Sequence, residues 1–204
     1  MKLHREKLAV INSSLALLLG MLLCSPPADA LNSGIDSEEY AVWRAVIEGL
    51  LEQEWQHETF KRIVIESQTS YPDYMEKSTR IVGEKWDIPE SVINDFVQIN
   101  KNRQQLENRF QVSIGINLLT EGLMRYFFVE HKLDFTGWDL FYRAYPNSQG
   151  LLVLSRVAFY ETRKRALVYA GNQRHWLGGA GYLILLKCEG SEWKVERKAA
   201  IWIS

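Results

Sequence analysis

The chain has 204 residues, of which 47% are hydrophobic and 24% charged, and its formal net charge is −1. This length fits one domain with a single core, since typical domains run to about 100–200 residues. Nucleic acids and anionic membrane surfaces attract proteins with a basic excess. The near-neutral net charge therefore predicts neither a nucleic acid nor an anionic membrane as a partner.

The first thirty residues have the composition of a secretory signal peptide. Lys2 and Arg5 lie in a positive first segment, and Leu15–Leu23 form an apolar core. Ala28-Asp29-Ala30 then provides a small-x-small cleavage site. The apolar core is about half of the roughly 20 residues that a stable membrane anchor needs. We therefore expect cleavage near Ala30, export to the periplasm or the extracellular medium, no stable membrane anchor, and a mature domain over residues 31–204.

Cleavage at that site would remove Cys24 and leave Cys188 as the remaining cysteine. Leu23 precedes Cys24 where lipoprotein signal peptidases ordinarily find Gly, Ala or Ser, so lipidation is not expected. With one cysteine no intramolecular disulfide is possible, and the apolar core must stabilise the domain. Cys188 ends a predicted strand and has no neighbouring base, which favours a packing role over a nucleophilic one.

Two helices are predicted in the N-terminal half. Asp36 and Glu39 have the spacing of a capping box, and an apolar face follows over Tyr40–Leu51. We expect Glu38 and Glu39 to belong to the solvated side and the terminus of this helix. The second helix is predicted after Asp87, where a first-turn proline and a capping carboxylate follow.

Other segments before residue 145 are predicted from their hydrophobic patterns. They are strands at Phe60–Glu66 and Phe110–Ile114, a helix or a strand at Leu118–Val129, and a short amphipathic helix around Trp138–Tyr142.

Four runs of strand-type residues close the chain, bounded by Gly, Asn or charged clusters. They are Leu151–Phe159, Ala166–Ala170, Tyr182–Lys187 and Trp193–Ile203. Such runs are typical of an antiparallel meander. The predicted fold class is α+β, with N-terminal helices packed on one face of a C-terminal curled antiparallel β-meander. By analogy, this element order favours a cystatin-like or nuclear-transport-factor-like roll.

Several short motifs in these runs are distinctive. They are Ser-Arg-Val-Ala-Phe at Ser155–Phe159, Ala-Leu-Val-Tyr at Ala166–Tyr169, Gly-Ala-Gly-Tyr at Gly179–Tyr182 and Trp-Lys-Val at Trp193–Val195. They resemble strands of a family of uncharacterised exported bacterial proteins, and Tyr40–Ile47 and Ile63–Ser70 are similar to that family too. The resemblance implies the fold and export rather than an activity. Members of that family often carry two cysteines where this chain has Arg174–Gly179, so the resemblance implies no thiol chemistry here.

The segment Asn172–Gly181 is the strongest candidate binding site in the sequence. Arg174, His175 and Trp176 place a cation, an imidazole and an indole next to several glycines. Arg or His can bind a carboxylate, and glycines let a ligand approach the backbone. The simpler interpretation is a long hairpin loop in which the glycines adopt positive φ and the Trp packs on the sheet.

Arg156 is the second candidate because it interrupts an apolar run. A charge on a concave sheet face needs a carboxylate or a ligand, and Glu66 and Glu161 are available partners. Strand alternation instead places Arg156 on the face opposite the helices, in solvent. Structural pairing is favoured over catalysis.

No sequence pattern indicates a metal site or a serine hydrolase, since the histidines are widely spaced and no Gly-x-Ser-x-Gly elbow is present. We therefore predict a non-enzymatic domain that binds a small molecule or a protein, without cofactor or metal. The predicted site lies between helices and sheet or at Arg174–Gly181. One alternative is a hydrolase-like enzyme in which Arg156, His175 and Glu66 meet in one pocket. The other is a structural protein of the cell envelope.

Overall fold

The computed structural model describes residues 34–53, 60–130, 136–175 and 177–204. The predicted signal peptide, His57, His131 and Trp176 lie outside these ranges. Within them the chain forms helices and one seven-stranded, mostly antiparallel sheet. The α+β class is confirmed, as is the order of helices first and antiparallel strands last. None of the described helices is long and apolar enough to cross a membrane.

The helices are α1 (Ser37–Gln53), α2 (Glu76–Lys85), α3 (Glu90–Ile99), α4 (Glu121–Arg125) and α5 (Thr136–Ala144). A 3₁₀ turn at Asp73–Met75 precedes α2, and a π-helical turn at Tyr126–Glu130 follows α4. The strands are β1 (Arg62–Glu66), β2 (Gly115–Leu119), β3 (Ser148–Leu154), β4 (Ala158–Tyr160), β5 (Arg165–His175), β6 (Gly178–Glu189) and β7 (Glu192–Ile203).

Helix α1 starts at the cap that the sequence predicts. Asp36 Oδ1 accepts hydrogen bonds from the backbone N–H groups of Glu38 and Glu39, each at 2.9 Å. The apolar face of the helix is buried, and Trp43 Nε1 donates to the carbonyl of Ser155 at 3.0 Å. The cap satisfies two of the helix's otherwise unpaired N–H groups, and the indole bond fixes the helix on the sheet.

In the middle of the chain one prediction is wrong and one helix was missed. Phe110–Ile114 is not a strand but an irregular segment against α1, where the Phe110 ring lies 5.2 Å from that of Tyr40. Helix α2 was not predicted at all. Its buried positions are Thr79 and Gly83, with Val82 partly buried beside them, so it shows little of the apolar periodicity by which helices are recognised.

The sheet has the strand order β2-β1-β3-β5-β6-β7, with β4 paired to β5. The predicted antiparallel meander is present in β3, β5, β6 and β7. Strand β1 lies between β2 and β3 and is parallel to both, which the sequence did not indicate. The sheet is open, because its edge strands β2 and β7 do not pair with each other.

The helices cover both faces of the sheet rather than one. Neighbouring residues of β6 point to opposite sides: Ile184 packs in the core beneath α1, and Leu185 packs in the core that contains Phe96 of α3. Helix α5 packs on the same face as α3 through Phe141, and Val153 contacts the cores under both helices. The expected one-face arrangement is therefore wrong, and the sheet is the middle layer of three.

Candidate functional site

Arg156 lies in a break between β3 and β4 and is paired with Glu39 of α1. Its Nε and Nη2 donate to the two Glu39 carboxylate oxygens at 2.7–3.1 Å. Glu39 Oε2 also accepts from the backbone N–H of Val157 at 3.1 Å. The Glu39 side chain is 3% exposed and that of Arg156 19%. The bonds to Glu39 raise the pKa of Arg156 above its ordinary value, so the guanidinium stays charged.

The predicted surroundings of both residues are wrong. Glu39 is not on the solvated side of its helix, and Arg156 is neither solvated nor paired with Glu66 or Glu161. Alternation fails at Arg156 because the run predicted as one strand is broken there. The break is held by Asn100 of the α3 terminus, whose Oδ1 accepts from the Arg156 N–H at 2.7 Å. These contacts join α1 and α3 to the sheet and serve the fold.

Glu66, at the end of β1, is paired with Arg103 in the segment after α3. Arg103 Nη2 donates to Glu66 Oε1, and Arg103 Nε donates to the carbonyl of Thr69 at 3.3 Å. Burial raises the pKa of Glu66, although the bond to Arg103 acts in the opposite direction. The pair ties β1 to the segment that leads toward β2.

The structure does not bring Arg156, Glu66 and His175 together. Ser155, next to Arg156, is bonded to Tyr169 in the middle of β5. From Tyr169 to His175 an extended strand covers roughly 20 Å. The shared pocket that the hydrolase-like alternative requires is therefore not formed by these residues.

The segment Asn172–Gly181 is not a loop, contrary to the prediction. Strand β5 continues to His175 and β6 begins at Gly178, so that residues 176 and 177 alone lie between them. His175 is exposed, and the carbonyl of Arg174 accepts a 2.7 Å hydrogen bond from the hydroxyl of Tyr142 in α5. The candidate residues therefore belong to two paired strands.

The glycines of these strands make room for an indole. A Cβ at Gly179 would lie 3.0 Å from the Trp202 ring, and one at Gly181 would lie 1.8 Å from its Nε1. That nitrogen donates to the hydroxyl of Tyr169 at 2.9 Å, and a Cβ at Gly171 would lie 2.4 Å from the same hydroxyl. Burial raises the pKa of Tyr169 to about 12. None of these three glycines has a positive φ, so the conformation expected for loop glycines does not explain them.

A pocket of about 300 Å³ opens on the opposite face of β5 and β6, beside the C-terminal half of α1. Its lining comes from Leu50, Asn172, Arg174, Gly178, Gly179, Ala180 and Tyr182. Lys198 of β7 lies close by, with Nζ 5.0 Å from the centre of the Tyr182 ring. We call this the Asn172 pocket. It combines the two predicted locations, the space between helix and sheet and the segment Arg174–Gly181.

Asn172, which lines this pocket, has a side-chain oxygen without a hydrogen-bond partner in the described structure. The residue is 6% exposed, and its Nδ2 donates a long bond to the carbonyl of Gln149 at 3.5 Å. Its Oδ1 is buried and has no hydrogen-bond partner within the described ranges. Leaving a buried acceptor unpaired costs about 1–3 kcal/mol, so such groups usually meet a ligand or a water. The sequence includes Asn172 in the candidate segment but does not distinguish it from its neighbours.

A larger groove, of about 580 Å³, was not predicted. It lies between α1 and the irregular segment at residues 108–111, and we call it the Arg44–Arg109 groove after its two cations. Sequence reasoning missed it because the segment was assigned to a strand. The spacing of Ser37, Tyr40, Ala41 and Arg44 on one helix face is the signal that marks its helical wall.

No family model matches the chain, and no curated protein or solved structure is significantly similar to it. Within the described ranges, no group of three or more His, Cys, Asp or Glu side chains is arranged to hold a metal ion.

Proposed function

We propose that the protein is an exported, non-enzymatic binding domain that holds a small carboxylic acid in the Asn172 pocket. The observation that carries the proposal is the buried Asn172 Oδ1, which lacks a partner in the described structure and lines a pocket together with Arg174. A bound ligand that donates to this oxygen would remove the energetic cost of leaving it unpaired. The composition of the first thirty residues supports export.

The chemistry of the lining supports one class of ligand. An amide oxygen only accepts hydrogen bonds, so the ligand must present an N–H or O–H group to Asn172. Arg174 in the lining and Lys198 beside Tyr182 favour a negative charge on the ligand. A hydroxy acid or an amino acid satisfies both requirements.

The size and walls of the pocket fit the same class. A volume of about 300 Å³ is at the lower end of the range for ligand pockets. Leu50, Ala180 and the Tyr182 ring supply apolar walls around the polar groups. These dimensions favour a ligand with a short carbon chain.

Calorimetric titration with four probes tests the proposal. Lactate and serine carry both a carboxylate and a donor, acetate lacks the donor, and glycerol lacks the charge. We expect lactate or serine to bind and acetate and glycerol to bind at least about tenfold more weakly, because each lacks one of the two interactions.

The matched variants are Asn172→Leu and Gln173→Leu. The first removes the buried acceptor with little change in volume, so we expect binding to fall about tenfold or more without loss of stability. Gln173 is the exposed neighbour on the other face of β5, and its substitution should leave binding unchanged. Equal affinity for lactate and acetate, or an Asn172→Leu variant that binds like the native protein, would refute the proposal.

A further inference from the structure

The Arg44–Arg109 groove is separate from the Asn172 pocket and shares none of its lining residues. One wall is a stripe of α1 that begins at Ser37 and ends at Arg44, whereas the Asn172 pocket touches α1 at Leu50. The other wall is the segment from Asn108 to Gln111. The groove is therefore a second concavity with a lining of its own.

Both arginines of the groove lie too far from the nearest carboxylates for a hydrogen bond. Arg44 Nε is 3.9 Å from Glu48 Oε1, and Arg109 Nη1 is 3.8 Å from Glu107 Oε2. Good N–H···O bonds have distances of about 2.7–3.2 Å, as in the Arg156 pair. The two acidic side chains are well exposed to solvent, at 49% for Glu48 and 71% for Glu107.

Arg44 adds a buried donor that the described structure leaves unused. Its Nε is shielded from solvent and makes no hydrogen bond to any described residue. A guanidinium N–H in this position costs free energy unless an acceptor reaches it. Glu48, at 3.9 Å, does not supply that bond.

The opposite wall is held in place against α1. The Arg109 guanidinium lies over the Tyr40 ring, 4.8 Å from its centre, and the Tyr40 hydroxyl accepts from the Glu107 N–H at 2.7 Å. Tyr40 itself is buried. A cation that stacks on a buried ring is already oriented, which lowers the entropic cost of binding an anion.

We propose that this groove binds a dianion that presents two carboxylates, one to Arg44 and one to Arg109. The lining includes these two cations and no acidic residue, so a ligand with two negative charges complements it. The planar guanidinium matches a carboxylate with two parallel hydrogen bonds. Ala41 and Phe110 supply apolar contacts for the carbon chain between the acid groups. The carboxylates belong to a free dicarboxylic acid or to two acidic side chains of a peptide.

The test is a titration of the ¹⁵N-labelled protein, followed by the backbone amide signals. The probes are succinate, an acetylated Glu-Glu dipeptide amide and uncharged succinamide. We expect succinate or the dipeptide to shift the amides of Ala41, Arg44 and residues 108–111 to saturation, and succinamide to leave them unchanged. Binding of succinate alone identifies a free acid as the ligand, and binding of the dipeptide alone identifies acidic side chains.

Variants at both cations complete the test. Arg44→Gln and Arg109→Gln should each weaken binding about tenfold or more, because each removes one charge-assisted contact. Arg197→Gln changes an exposed arginine of β7 and is the matched control that should leave binding unchanged. Arg44→Lys keeps the positive charge but not the planar guanidinium that makes two parallel hydrogen bonds. We therefore expect its loss of affinity to lie between that of the native protein and that of Arg44→Gln.

The inference is overturned if no probe shifts the groove amides, or if both glutamine variants bind like the native protein. Amides of residues 172–182 report on the Asn172 pocket in the same spectra. Failure at one site is therefore distinguishable from failure at the other, and thermal unfolding of each variant confirms that it is folded.

Discussion

Glu39 and Arg156 form an ion pair that is too buried to resemble a surface salt bridge. The carboxylate accepts from the guanidinium and from the backbone N–H of Val157, so it links α1 to the break between β3 and β4. Exposed pairs contribute about 0–1 kcal/mol, whereas removal of one partner from a buried pair leaves an uncompensated charge. The stability of this contact therefore depends on both partners being present.

Replacement of Glu39 should destabilise the protein far more than replacement of an exposed acid on the same helix. We expect Glu39→Gln to lower the free energy of unfolding by about 3 kcal/mol, because Arg156 loses its counter-charge. Glu48→Gln, at an exposed position with a long contact to Arg44, should change it by less than about 0.5 kcal/mol. Urea unfolding of the two variants measures both values. Similar losses of unfolding free energy in the two variants would show that the buried Glu39–Arg156 pair stabilises the protein no more than an exposed contact does.

The sequence identified one member of this pair and misplaced the other. Arg156 stands out because a charge interrupts an apolar run. Glu39 is separated from it by 117 positions, and its local spacing to Asp36 suggests a helix cap instead. A local pattern does not reveal a partner so distant in the chain. Asn172 is a similar case, since its unsatisfied oxygen is defined by the strands around it.

The β5–β6 hairpin and β7 show how a strand's composition depends on its neighbour. The β6–β7 register pairs Gly181 with Trp202, and the indole lies across Gly179 and Gly181 to reach Tyr169. The sequence predicted strands in this region because branched and aromatic residues are local signals. It assigned the glycines to a loop because the reason for them lies on another strand.

A methyl group at Gly181 should displace the indole of Trp202. Its Cβ would lie 1.8 Å from Trp202 Nε1, so the bond to Tyr169 must break or the strands must separate. We expect Gly181→Ala to lower the free energy of unfolding by about 1–3 kcal/mol, as overpacking generally does. Near-ultraviolet circular dichroism should report the change in the indole's surroundings.

Gly178→Ala is the control for this substitution. A Cβ there would meet its nearest atom, in the His175 side chain, at an ordinary 3.5 Å. Its effect on stability should stay within about 0.5 kcal/mol of the native value. If the two alanine variants unfold alike, the indole contact is not what requires glycine at position 181.

The elements that escaped prediction share a physical cause. Strand β1 was placed correctly, but its parallel pairing with β2 and β3 is set by distant segments. Helix α2 packs through Thr79 and Gly83 with Val82 beside them, so its apolar stripe is too short to mark it as a helix. Where a local residue pattern faces a core, as in α1 and the C-terminal strands, the prediction was confirmed. Where packing depends on small or polar residues, the prediction from local patterns failed.

The molecule is organised as one sheet between two helical layers, which joins its hydrophobic cores through a shared backbone. Alternate residues of each central strand enter opposite cores, so loss of order on one face exposes the other. Both concavities lie along α1, while α3 and α5 cover the opposite face. This arrangement predicts that the described residues unfold as one cooperative unit.

A pair of adjacent substitutions in β6 tests that cooperativity. Ile184 and Leu185 are both fully buried but point into different cores. We expect Ile184→Ala and Leu185→Ala each to lower the free energy of unfolding by about 2–5 kcal/mol, the usual cost of such a cavity. Because the cores share one sheet, far- and near-ultraviolet circular dichroism should follow a single coincident urea transition in both variants. Two separate transitions in either variant would show that the helical layers are stabilised independently, since loss of one core would then leave the other folded.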